Sequence, residues 1–446
     1  MEEIQELLSK ILEEQDQNHL HELIEEHYAI NVAEDLEERG DEDISAFLSF
    51  AYDEDLASVL EDAEDSLRFR LLSPLSIDRL THVFSFMSPD DITDLISLLP
   101  IPMRKDLFSH MNKDDSQEVR MLLGFAPDSA GGIMTTKYIA LKSNLTPKQA
   151  LMTIRDIGPR TEVIEEIFIV DNRNVLLGHV NLRDILSAPD NSRLNDIMKD
   201  NPVTVSPYVD QEEASLLVSK YDLLALPVVN VKNVLLGIIT VDDVLDVIVE
   251  ENTEDFLMVS GVNKNETIGG KISESIKHRL PWLVINLVTA FLAAFTIDIF
   301  QDVIVQVVAL AAAMPIVTGM GGNAGTQTLS IVITGLATGD LNLKDDWRYV
   351  LNELAIGLFD GAVIGILTAI VLYFMYGNLF LGVIIFLAMI GNMIIAGFFG
   401  FMIPLVLEKF HLDAAVSSSI FLTTATDVGG FFLFLGLAKL FLPLLL

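Results

Sequence analysis

The second half of this chain carries five long apolar stretches, residues 280–300, 303–337, 350–375, 379–407 and 414–442. Each supplies the roughly 20 mostly apolar residues that a helix needs to cross a bilayer. In hydrocarbon every backbone N–H and C=O must be satisfied within the protein, which leaves helices as the economical solution for stretches of this length. The sequence therefore predicts five membrane-spanning helices. Lys277, Arg279, Lys344, Arg348 and Lys409 flank one set of ends, whereas the connections at 298–301 and 376–378 carry no basic residue. The excess of Lys and Arg on the cytoplasmic side of such proteins places the first half inside and the C-terminus outside, in the cell's inner membrane. Lys439 is then an outer residue that snorkels to the interface.

The first half has the opposite composition. Of 64 acidic and 28 basic residues, 10 and 4 fall from Pro281 onward, which leaves 54 and 24 in the first 280 positions. Such an excess disfavours nucleic acid and anionic lipid as partners and suits divalent cations. Most of these acids are expected to be a solvated surface. There is no cysteine, so disulfides and thiolate metal sites are excluded. Residues 1–15 are acidic and amphipathic, unlike a cleavable signal.

Two domains are legible before the membrane. Residues 1–126 show apolar positions at helical spacing interrupted by acidic or Pro-containing turns, which predicts an α-helical superhelix. At Ser88-Pro-Asp-Asp-Ile, Ser88 is placed to cap a helix that has Pro89 in its first position and acids in its first turn. From residue 127 the pattern becomes a duplication, with Ile133-Met134 matched by Ile197-Met198 and Asn174-Val-Leu-Leu-Gly178 matched by Asn233-Val-Leu-Leu-Gly237. Each copy, 127–190 and 191–250, reads as α/β, with a linking helix over 251–279 and the membrane domain over 280–446.

Asp427 stands out within the membrane half, because residues 414–438 are otherwise uncharged. A carboxylate at membrane depth is costly unless it meets water, a partner or a cation, and so marks a pathway. Pro315 and the glycines of Gly319 to Gly325 are expected to interrupt the second span and line a wet cavity, or else to let helices approach closely. Asn323 and Gln327, four apart, face one way on a helix. Glu250, Glu251, Glu254 and Asp255 stack like charges at i,i+4 on the linking segment, an arrangement that a cation would relieve.

The duplication resembles a tandem pair of CBS domains, regulatory modules that often take adenine nucleotides, which makes ATP a candidate ligand near Tyr208, Asp242 and Asp243. The whole chain resembles the MgtE family of magnesium channels. The resemblance rests on Pro315 with Gly321-Gly-Asn-Ala-Gly-Thr-Gln327, Thr423-Thr-Ala-Thr-Asp427, Asp128-Ser-Ala-Gly131 and Thr240-Val-Asp-Asp-Val-Leu-Asp246. It implies a homodimer with a pore on its two-fold axis, lined by Pro315, Gly321, Gly322, Asn323, Gln327 and Asp427, with Asp427 meeting hydrated Mg2+. It further implies that cytosolic Mg2+ is sensed at Asp90, Asp91, Asp94, Asp222, Asp243, Asp246, Glu251, Glu254, Asp255 and Asp413, closing the pore when these surfaces are bridged.

Two positions depart from the family pattern. Ser418-Ser-Ile-Phe421 stands where the family usually carries a proline, and Asp360 in the third span matches no family pore position. Three other readings are weighed against Mg2+ conduction. The same fold could serve Mn2+ or Co2+ or exchange Mg2+ for Na+, since all-oxygen sites accept several hard divalent ions. The chain could be a membrane-tethered nucleotide sensor without transport. Asp360 and Asp427 could form the proton-sharing pair of an intramembrane aspartyl protease, although the flanking motifs of such enzymes are absent.

Overall fold

A computed structural model of the protein describes residues 2–158, 161, 163–263, 266, 272–338, 341, 347–410 and 418–446. The chain forms two compact units, Met1–Ile248 and Val249–Leu446.

The first unit opens with ten α-helices between Glu2 and Leu122, each 7 to 13 residues long. They stack because each buries one apolar stripe. The helix Pro89–Leu98 shows the rule: Ile92, Leu95 and Ile96 are buried while Asp90, Asp91 and Asp94 occupy the other face. Each such aliphatic side chain contributes about 1.5–3 kcal/mol on leaving water. Ser88 does occupy the N-cap with Pro89 behind it, but its hydroxyl donates to the Asp91 carboxylate at 2.6 Å and makes no bond to the helix backbone.

The duplicated region folds as two interlocked copies. In the first, β1 (Ala140–Lys142) runs parallel to β2 (Glu166–Val170), which pairs antiparallel with β3 (Leu176–Asn181), and β4 (Lys199–Asp200) closes the sheet. In the second, β5 (Ala225–Val229) pairs antiparallel with β6 (Leu235–Thr240), and the counterpart of β1 is reduced to a parallel bridge between Val205 and Val228. The repeated sequence has a structural reason at each end. Asn174 and Asn233 both adopt a left-handed conformation, φ 59° and 58°, that starts β3 and β6, and asparagine tolerates this better than most residues. Leu176 N–H donates to the Asn233 carbonyl and Leu235 N–H to the Asn174 carbonyl, joining the copies about a local two-fold. Gly178 and Gly237 leave room for the paired methionines. A Cβ on Gly178 would meet the Lys199 carbonyl at 2.4 Å and Met198 at 3.2 Å, and one on Gly237 would meet Met134 at 2.8 Å.

In the second unit, four helices are long and apolar enough to cross a membrane: Ser275–Asp298, Arg348–Tyr376, Leu379–Leu407 and Ser418–Leu440, with mean hydropathy between 1.7 and 2.6. The remaining expected segment, 303–337, divides into Gln301–Gln306 and Ala309–Ala337, with Val307 and Val308 between them. The second piece, the glycine helix below, has 29 residues and so spans roughly 44 Å at about 1.5 Å per residue. It carries no charged residue, but Thr318, Asn323, Thr326, Gln327 and Thr328 stand among its glycines. The interruption expected at Pro315 does not occur: the helix is continuous through Pro315 and Gly319 to Gly325. The proline removes one N–H, while Leu310, Ala313, Met314 and Val317 around it are buried against the bundle on the opposite face.

The helix Leu379–Lys409 is central, packed against the glycine helix, Trp347–Tyr376 and Ser418–Leu440, while Ile272–Asp298 lies against Ser418–Leu440. Small residues set these distances, as in membrane bundles generally. Cβ atoms on Gly357 and Gly361 would meet the Met393 carbonyl and Ile390 Cα at 2.6 Å. The linking segment expected over 251–279 is divided as well. One helix, Val241–Val259, starts directly after β6, and the first membrane helix already begins at Ile272.

Candidate functional site

Asp427 sits near the middle of Ser418–Leu440, half-buried, with no hydrogen bond or ion pair to its carboxylate among the described residues. One turn earlier lies Thr423, exposed, and one turn later the chain packs inward at Gly430. The nearby hydroxyls are occupied within their own helix: Thr423 donates to Ser419 O at 2.8 Å and Thr424 to Ile420 O at 2.6 Å.

The glycine helix presents two different faces. Pro315, Asn323 and Gln327 are exposed and Gly322 is half-exposed, and no atom lies within 4 Å of a Cβ placed on Gly319 or Gly322. Gly321 points the other way, into the bundle, where a Cβ would fall 2.1 Å from Asn392 Nδ2. Of the candidate pore residues, Gly321 therefore serves close packing, while Pro315, Gly322, Asn323 and Gln327 belong to an open face. Gly325 is likewise packed, against Leu422.

Asp360 lies on Trp347–Tyr376 and lines a cavity of about 100 Å³ with Gln327, Thr328 and Glu353. Thr328 donates to Glu353 at 2.9 Å. Asp427 is not part of that lining, so the carboxylate that shares a cavity with Asp360 is Glu353 and not Asp427.

At one end of the same unit, the last turn of Val241–Val259 docks on the bundle. Ser419 Oγ donates to the Val259 carbonyl at 2.6 Å, Gly261 approaches Ile420, and Val259 packs on Leu329, Ile333 and Leu422. Glu251, Glu254 and Asp255 lie half-buried along the two turns before this contact. Asp413 lies outside the described residues.

Six acids of the first unit gather on one surface. Asp90, Asp91 and Asp94 from Pro89–Leu98 face Asp243 from the start of Val241–Val259, joined by Glu61 and Asp62 at the end of the helix Asp53–Asp62. Burial, then the neighbouring Asp91 carboxylate, push Asp90 up to about 7. Burial followed by Asp91, Asp62 and Asp90 push Glu61 up to about 7. Asp94 rises to about 6 through burial, with Arg68 opposing and Asp91, Asp65 and Asp243 adding to it. Asp243 rises to about 6 through burial, despite accepting from Thr240 Oγ1 at 2.5 Å. Asp91 and Asp62 are also raised by burial, and Asp246 contributes to the repulsion at Asp62. Arg68 is the cation that opposes this charge, but its guanidinium donates to the carbonyls of Leu60 and Glu61.

One oxygen of Asp90 is buried with no hydrogen-bond partner among the described residues. A buried acceptor left unpaired costs about 1–3 kcal/mol, more when charged, so this surface is a poor place for carboxylates and a good one for a cation. Among the described residues no three such groups close into a tight cage.

Asp222 ends the helix Gln211–Tyr221 in a left-handed conformation, exposed, and is not among the charges acting most strongly on Asp90 or Asp94. Tyr208 is 80% exposed and stacks edge-on with Phe125 at 5.7 Å. Asp242, two residues after Thr240, is exposed, whereas Asp243 is turned towards the acidic surface. Sequence reasoning missed Glu61 and Asp62, which look like any other acids in an acidic helix. It also missed Asn392, whose only signal is one amide in a long apolar run.

Profiles of known families match three parts of the chain: the MgtE intracellular N domain over residues 27–128, the CBS domain over 130–191 and 194–250, and the MgtE divalent cation transporter over 314–437. The magnesium transporter MgtE of Bacillus subtilis (strain 168) is 32% identical over 381 residues, covering 85% of this chain and 84% of that protein. The magnesium transporter MgtE of Thermus thermophilus is 34% identical over 328 residues, covering 73% and 72%. Among solved structures, the cytosolic domain of the Mg2+ channel MgtE in complex with ATP is 31% identical, with a TM-score of 0.52 over 55% of this chain and 99% of that one.

Proposed function

We propose that this chain, which belongs to the MgtE family of magnesium transporters, is a Mg2+ channel that admits the ion down its electrochemical gradient and closes when cytosolic Mg2+ is abundant. The first unit lies in the cytoplasm of this reading, the five long helices span the inner membrane, and the C-terminus is outside. Two copies form the pore, so that two Asp427 carboxylates face one hydrated ion with the open face of the glycine helix, Asn323 and Gln327 included, around it. A pair of carboxylates meets the charge of Mg2+ without stripping its tightly held waters.

The observation that carries the closing mechanism is the acidic surface of the first unit, where Asp90, Asp91 and Asp94 crowd Asp243 and Glu61 with pKa values raised towards neutrality. Mg2+ bridging that surface favours the compact arrangement, and its loss releases the acids by mutual repulsion. Several weak sites that all prefer one state give a steep response, because their differential affinities multiply. Val241–Val259 carries the effect: it starts at Asp242 and Asp243 and ends on Ser419, Ile420 and Leu422, in the helix that bears Asp427. Glu251, Glu254, Asp255 and Asp413 would add Mg2+ contacts near that end. ATP bound at the repeat pair, near Tyr208 and Asp242, would tune the same equilibrium; a related cytosolic domain has been solved with ATP.

The test is ion flux into vesicles that contain the purified full chain, with internal Mg2+ and ATP varied. Mg2+ uptake that falls as internal Mg2+ rises supports the reading; uptake indifferent to internal Mg2+ removes the sensing role. Flux of Mn2+ or Co2+ at the same rate would favour a general divalent transporter.

A further inference from the structure

Asn392 is fully buried at the centre of Leu379–Lys409, a helix of mean hydropathy 2.6. Three helices meet at its carboxamide. Nδ2 donates to the Val317 carbonyl of the glycine helix at 2.8 Å. A Cβ on Gly321 would fall 2.1 Å from Nδ2, and a Cβ on Gly430 of Ser418–Leu440 would fall 2.9 Å from three atoms of the same group. Two glycines on two helices are thus needed to seat one amide. Its Oδ1 is buried without a hydrogen-bond partner among the described residues.

An apolar residue would fill this place without leaving an orphaned acceptor, which argues against simple packing as its purpose. Its position supplies another. Gly430 is three residues after Asp427, about one helical turn away, and Val317 and Gly321 bracket the open glycine Gly319. We propose that Asn392 is a positioning residue for the ion pathway: its amide fixes the glycine helix against the Asp427 helix at the depth of Asp427 and thereby sets the discrimination between Mg2+ and larger divalent ions. Asn392 touches no ion; it acts through the spacing of the two helices that do. The inference rests on the transport reading above.

Mg2+ and Ca2+ flux through the reconstituted full chain tests it, with Asn392→Ala and Gly321→Ala as variants and thermal unfolding of each in detergent as a control. Loss of one hydrogen bond between membrane helices corresponds to a change of about threefold to tenfold, so the Mg2+ to Ca2+ flux ratio is expected to fall by about that factor in Asn392→Ala. Gly321→Ala presses a methyl against the same amide from the facing helix and should shift the ratio similarly. Combining the two removes the overlap and should bring the ratio back to that of Asn392→Ala alone. If Asn392→Ala does not fold, Gly321→Ala alone reads the ratio. A variant that is less stable but keeps the wild-type ratio overturns the inference and leaves Asn392 a structural residue. Absence of Mg2+ flux in the wild type would instead overturn the transport reading itself.

Discussion

Neutralising Asp90 should stabilise the cation-free protein, although it removes a residue proposed to bind Mg2+. Burial and Asp91 hold the Asp90 carboxyl near 7. That is about 3 units above an ordinary aspartate, and each unit is worth about 1.4 kcal/mol, so ionised Asp90 opposes folding by roughly 4 kcal/mol at most. The side chain is partly exposed, and water entry reduces the effect, so a net gain of about 2 kcal/mol is expected for Asp90→Asn. For a unit of this size that raises the unfolding midpoint by roughly 4–8 °C. The sign follows from proton linkage. The native state holds the Asp90 proton more tightly than the unfolded chain, so wild-type stability falls as pH rises from about 4 to about 7, and the advantage of the variant grows over the same window. Millimolar Mg2+ neutralises the wild-type surface and should cancel or reverse the advantage. Thermal unfolding of the detergent-solubilised chain, with chelator and with Mg2+, measures both. An Asp90→Asn midpoint equal to wild type in chelator, or raised equally with and without Mg2+, would refute the idea that this surface stores charge repulsion for a cation to relieve.

Three further outcomes follow from the same geometry. Because Glu61, Asp90, Asp94 and Asp243 titrate near 6 to 7, Mg2+ binding should release protons at pH 6.5 and its affinity should rise with pH; calorimetry in buffers of different ionisation heat measures this, and no proton release would count against these acids as ligands. Neutralising Asp243, Asp246 and Asp255 together should leave flux high at internal Mg2+ levels that close the wild type, and unaltered inhibition would exclude them from the sensor. Gly357→Ala places a methyl 2.6 Å from the Met393 carbonyl and should cost about 1–3 kcal/mol through overpacking; an unfolding midpoint equal to wild type would show that these two helices do not pack so closely.

Elements defined by local chemistry were legible in the sequence. The helix after Ser88, the paired Asn-Val-Leu-Leu-Gly turns and four of the five apolar stretches each follow from a few neighbouring residues, and the structure has them. What failed to show depends on residues distant in sequence. Whether a glycine faces a pathway or a neighbour is decided by the partner, so Gly321 and Gly322 look alike until Asn392 is placed beside the first. Pro315 was expected to break its helix, because sequence shows the lost N–H but not the packing that holds the remaining ladder. Glu61 and Asp62 differ from solvated acids only in standing opposite Asp91 and Asp246. The linking helix could not be bounded from composition, since Val241–Val259 continues the last repeat as one helix through the polar run Glu250 to Asp255.

The most direct measurement is Mg2+ uptake into vesicles holding either the wild type or Asp427→Ala, compared at equal amounts of folded protein. Uptake by the wild type and none by the variant is the expected result. Equal uptake by the two would place the ion's route elsewhere and contradict the role given to the carboxylate of the last long helix.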